Sequence, residues 1–168
     1  IATNDPNGRS FYIVNMTVTP AGSEAHLGDM LITNMYGRFI EQRKDSAQLL
    51  SRIPQFGNWL VENAIDFEDL DPVDQDRVAT EYMSATKVLR GKEVLYDGML
   101  RRYGYAGAKP VKLVRDGFKD PASKDYGVLC MVENPLPERI RGNKTAAFVV
   151  GRCLKALSQK PDIVKRIF

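Results

Sequence analysis

The chain has 168 residues, 43% of them hydrophobic and 27% charged, with one histidine and two cysteines. That length suits a single domain with a substantial core; the aromatic and β-branched content argues against a disordered chain, and no apolar run approaches the roughly 20 residues that a bilayer span requires. The formal net charge of +3 conceals a segregation by position: residues 1–53 are neutral overall, residues 54–86 carry −7, and residues 87–168 carry +10.

Residues 1–9 are turn formers and read as a flexible arm, followed by a single domain over 10–168. Ser10 to Thr19 is rich in β-favouring residues and is closed by Pro20-Ala21-Gly22, which predicts a strand over 10–19. Ser23 can cap a helix in which Leu27, Leu31, Met35 and Phe39 recur every four residues, and this apolar stripe predicts a helix over 23–53. A shorter helix is expected at 58–68. Asp71-Pro72-Val73-Asp74 combines an N-cap, a proline suited to the first helical position and a capping-box acid. It opens a helix expected over 72–90 and followed by another over 92–103.

Val111 to Arg115 alternates as a short strand with Pro110 at its start, which suits a sheet edge. Gly127 to Glu133 is apolar at nearly every position and predicts a central strand over 127–133, buried on both faces. Gly142 or Asn143 starts a helix over 143–159, and Pro161 starts a last one over 161–168. The fold class is therefore α+β, dominated by helices, with a small sheet of about three strands. The expected core comprises Leu31, Met35, Phe39, Trp59, Phe67, Tyr82, Leu89, Leu95, Leu129, Val149 and Leu154.

No catalytic signature stands out. Ser23, His26 and Asp29 sit within two turns of one expected helix, where their side chains do not form the hydrogen-bonded chain that a triad needs. The acids Asp66, Glu68, Asp69, Asp71, Asp74 and Asp76 break the calcium-loop pattern, with no glycine at its sixth position. Neither a metal nor a resident cofactor is indicated, and no catalytic residue is assigned. Cys130 and Cys153 lie in apolar surroundings and read as buried reduced thiols, which favours a reducing compartment for a soluble protein.

Two basic segments stand out. Residues 87–119 mix cations with aromatic rings, and Arg101, Arg102, Tyr103, Tyr105, Lys109 and Lys112 are the candidate contacts for a partner or a nucleic acid, since cations neutralise phosphates and rings stack on bases. Arg139, Arg141, Lys144 and Thr145 enter a helix and form a candidate anion cradle; Asn143 interrupts the Gly-Lys-Thr order that a nucleotide-binding loop requires. Taken together, the segregated charge points to a non-catalytic subunit or adaptor that docks protein partners in a larger assembly through acidic 54–86 and basic 87–168 surfaces. The alternatives are nucleic-acid binding through 87–119 and an enzyme acting on a phosphate- or carboxylate-bearing substrate.

Overall fold

The computed structural model describes residues 8–13, 27–160 and 162–163. Its regular elements, in order, are β1 (Ser10–Ile13), α1 (Leu27–Glu41), β2 (Ser46–Arg52), α2 (Phe56–Glu62), α3 (Pro72–Ser84), β3 (Thr86–Leu89), β4 (Lys92–Leu95), α4 (Gly98–Tyr105), β5 (Lys109–Val114), β6 (Gly127–Glu133), α5 (Glu138–Gly142) and α6 (Lys144–Leu157), with a 3-10 turn at Pro121–Ser123. The fold is α+β. Four strands form one sheet in the order β1-β2-β6-β5, and β3 and β4 form a separate hairpin. By contacts the chain divides into two compact units, Ile1–Gln48 with Val132–Phe168, and Leu49–Met131.

In the first unit β1 leads through α1 into β2. The starts of the two strands lie side by side: the Asp45 amide donates to the Arg9 carbonyl at 2.7 Å, and the Ser10 and Ser46 hydroxyls are 2.9 Å apart. Adjacent strands that begin together and are joined through a helix run parallel, so this is a strand–helix–strand crossover. The helix ends in a Schellman motif, with Arg43 N–H donating to Ile40 O and Lys44 N–H to Phe39 O. Arg43 occupies the left-handed position of that motif (φ 57°), where glycine is usual.

Against α1 packs α6, and the two backbones approach at a pair of glycines. A Cβ on Gly37 would lie 2.7 Å from the Gly151 carbonyl, and one on Gly151 would lie 2.6 Å from the Gly37 carbonyl. This contact sets which face is buried. On α1 it is Gly28, Asp29, Ile32, Thr33, Gly37, Phe39 and Ile40. The apolar stripe expected to face the core does so only in part: Phe39 is buried, but Leu31 is 43% exposed, and Val149 on α6 is 52% exposed. A glycine seam turns small residues inward and leaves larger ones outside.

The second unit has an aromatic interior. Phe56 is fully buried and touches four rings, those of Trp59, Phe67, Tyr82 and Tyr126, with centroids 4.9–6.3 Å away. Asp71 caps α3 as expected, accepting from the Val73 and Asp74 amides at 2.9 Å each, with Pro72 at the first position. β5 pairs antiparallel with β6, with a bulge between Pro110 and Lys112.

Three of the expected elements differ from the structure. The long helix over 23–53 is α1 followed by β2, whose burial alternates, with Ala47, Leu49 and Ser51 turned inward. The helices over 72–90 and 92–103 stop and start around a hairpin: β3 and β4 pair antiparallel about Arg90-Gly91, both at positive φ (52° and 75°), as a two-residue hairpin turn demands. Leu89 is consequently 43% exposed, outside the core. The expected strand over 14–19, the helix start at Ser23 and nearly all of the helix over 161–168 lie outside the described residues.

Candidate functional site

The helix of the strand–helix–strand crossover, α1, is the longest among the described residues. In parallel crossovers ligands gather at the carboxyl ends of the strands, where a helix presents its N-terminal amides. Here α1 is 15 residues long, so its dipole is well developed, and Gly28 puts no side chain in its first turn. Asp29 is turned inward and buried, and its carbonyl accepts the Thr33 hydroxyl at 2.9 Å.

In the second unit Asp97 is a fully buried charged residue, 1% exposed. Its carboxylate accepts from the Tyr82 hydroxyl at 2.8 Å, from the Met99 and Leu100 amides at 2.8 and 3.1 Å, and from the Gln55 amide at 3.4 Å. Gln55 completes the arrangement by accepting the Gly98 amide at 2.8 Å. Four donors on one carboxylate make a fully satisfied helix cap. Burial first, then the Asp97 charge, pushes the Tyr82 phenol well above its ordinary range, so it stays a proton donor. Burial likewise pushes the Cys130 thiol up to about 12, which keeps it protonated and unreactive at neutral pH. Cys130 is buried as expected, whereas Cys153 is exposed, and both are free thiols.

The acidic segment engages the basic one inside this same unit. Arg115 places two guanidinium nitrogens on Asp76, at 3.1 and 2.8 Å, and the Tyr126 hydroxyl donates to the same carboxylate at 2.7 Å. These contacts, Tyr126 first, hold the Asp76 carboxyl below its usual range. Lys124 pairs with Glu68 at 2.7 Å, and Asp74 pairs with Arg77 at 3.0 Å. Acids expected to face outward toward a partner are thus in part neutralised by their own chain.

The residues singled out in 87–119 fall on two consecutive elements. Arg101, Arg102, Tyr103 and Tyr105 lie on α4, and Lys109 and Lys112 on β5. Arg101 donates to the Leu95 carbonyl at 3.1 Å, which ties it to the hairpin. Tyr103 is half-buried, and burial raises its phenol; Tyr105 is 61% exposed. In the other segment Arg139, Lys144 and Thr145 are exposed, on α5 and at the start of α6. Arg141 instead turns to the start of β2, its Nε 3.4 Å from Asp45. Asn143, not Thr145, caps α6, accepting the Ala146 amide at 3.0 Å. Among the described residues no group of three or more His, Cys, Asp or Glu could hold a metal ion, and no helix is long and apolar enough to cross a membrane.

Compared with known proteins, the chain matches no family model and no solved structure. It is similar to a curated protein of Bacillus subtilis (strain 168), the uncharacterized N-acetyltransferase YkwB, at 23% identity over 134 residues, which is 80% of this chain and 51% of that protein. The chain thus spans about half the length of the curated relative it matches. That similarity overturns the non-catalytic adaptor drawn from the charge segregation: the relative is named as an enzyme, and the acidic surface on which the adaptor rested is in part paired internally.

Proposed function

We propose that this chain is part of an N-acyltransferase, with the β1–α1–β2 crossover holding an activated acyl donor. The observation that carries this reading is the similarity over 134 residues to a protein named as an N-acetyltransferase. The crossover supports it on physical grounds. Group carriers of the coenzyme A type bear phosphates, and the first turn of a long helix following a strand offers unpaired amides and a positive dipole end to such groups.

The residues of α1 fit that role in part. Gly28 and Asp29 are both buried, so neither presents a side chain to solvent in this turn. Bound there, a thioester would supply an activated acyl carbon that a primary amine attacks, giving an amide and a free thiol. What α1 contributes is binding and orientation: its first-turn amides hold negative charge, and its C-terminal half is anchored by the glycine seam with α6.

The test is an assay of thiol release from acetyl coenzyme A by the purified chain, run against a panel of primary amines, with mass spectrometry of each acceptor. Amine-dependent thiol release, accompanied by the mass of one acetyl group on the acceptor, is expected. No donor binding by calorimetry together with release no faster than hydrolysis would overturn the reading.

A further inference from the structure

At the other end of the crossover, where β1 and β2 begin and α1 ends, two arginines meet one acid and a third is hydrogen-bonded to the backbone of one of them. Arg9 forms an ion pair with Asp45, and Arg141 approaches the same carboxylate with its Nε at 3.4 Å. Arg43 donates its Nε–H to the Arg141 carbonyl at 3.1 Å, which ties a third guanidinium to the backbone of Arg141. Nearby, Lys44 donates to the Gly8 carbonyl, and Glu138 lies within electrostatic range of Arg9, so these last two charges offset. Three guanidinium groups against one carboxylate leave a net charge of about +2, close to what a phosphate monoester carries with opposite sign.

The scaffold is fixed. Asn134 donates its amide N–H to Asp45 O at 2.8 Å and its side-chain N–H to Lys44 O at 2.8 Å, locking the turn that carries Arg43, Lys44 and Asp45. Arg43 itself departs from the local rule. Its left-handed backbone is the closing position of a Schellman motif, where glycine would avoid the strain a side chain brings. Its Nε–H is held by a backbone carbonyl, which restrains the plane of the guanidinium. Arg43 meets a backbone carbonyl rather than Asp45, so the acid alone does not account for the cluster.

From this juxtaposition we infer a binding site for a phosphate group, formed by Arg9, Arg43 and Arg141 at the start of β2. Arginine forks match phosphate oxygens bidentately, and several around one anion recognise it by both charge and shape. The site is at the opposite end of the crossover from the first turn of α1 and does not depend on the acyl-transfer reading.

The test is a titration of the chain with inorganic phosphate at constant ionic strength, set by sodium chloride and followed by the arginine Nε–H resonances. Four proteins are compared: the unaltered chain, Arg43→Gly, Arg141→Gln and the double variant. Arg43→Gly suits the left-handed backbone, so it keeps or raises thermal stability while removing one guanidinium. Expected is saturable binding by the unaltered chain, about tenfold weaker in each single variant and lost in the double one. Equal shifts in all four proteins, or equal shifts with chloride alone, would overturn the site. Repeating the titration with saturating acetyl coenzyme A separates the sources. Unchanged phosphate affinity assigns the group to a second ligand, and competition assigns it to the donor's own phosphate; both require the site.

Discussion

In residues 49–131 the interior is a cluster of rings around Phe56, with described polar side chains such as Asp97 buried only where they are hydrogen-bonded. In the unit formed by residues 1–48 and 132–168, the helix pair meets backbone to backbone at Gly37 and Gly151, and larger apolar side chains such as Leu31 and Val149 stay outside. The first arrangement draws stability from buried area, about 25 cal/mol per Å². The second draws it from close approach, which tolerates no added atom. The same kind of substitution should therefore have opposite effects in the two units.

Removing volume breaks the aromatic unit. Phe56→Ala deletes a ring that is fully buried against four others and should cost about 3–5 kcal/mol, read as a lower denaturant midpoint. Adding volume breaks the glycine seam. Gly151→Ala would normally gain about 1 kcal/mol of helix propensity, but its Cβ would sit 2.6 Å from the Gly37 carbonyl. The expected result is a net loss of about 1–3 kcal/mol; a stabilised variant would show that the helices separate freely.

A smaller effect is expected at the buried cap. Tyr82→Phe removes one of the donors to Asp97 and leaves its carboxylate short of a partner, for about 1–3 kcal/mol. Both units also carry carboxylates held below their usual range, Asp45 by Arg9 and Asp76 by Tyr126 and Arg115. Such groups stabilise the fold above the unfolded carboxylate value and lose that contribution as pH falls through the depressed folded value. Thermal stability should thus decline on acidification below about pH 4, and less steeply in Asp76→Asn. Finally, native labelling with a thiol reagent should modify the exposed Cys153 alone, with Cys130 reacting only after unfolding.

How much of this was legible in the sequence depends on whether local chemistry or packing decides. Asp71-Pro72 determines where α3 begins, and the unbroken apolar run 127–133 reads directly as β6, because both signals are local. The strand β2 was hidden by Leu49-Leu50, which fits a helical period as well as a strand; only the alternation of burial in the folded chain separates the two. The hairpin is hard to read because Arg90-Gly91 lies between residues that continue the spacing of α3, although its glycine is the available signal. The candidate anion residues were partly legible. Arg141 was recognised as basic and near a helix, but its partners Arg9 and Arg43 are 132 and 98 positions away, and nothing short of the fold brings them together. Charge counted along the chain likewise could not show that Asp76 and Glu68 meet Arg115 and Lys124.

The reading of the crossover as the seat of an acyl donor is tested most directly by amide hydrogen exchange with and without acetyl coenzyme A. The account predicts slowed exchange in the first turn of α1, at Leu27 to Met30, with the amides around Asp97 unchanged. Slowing confined to residues 49–131, or none anywhere at saturating donor, would contradict it.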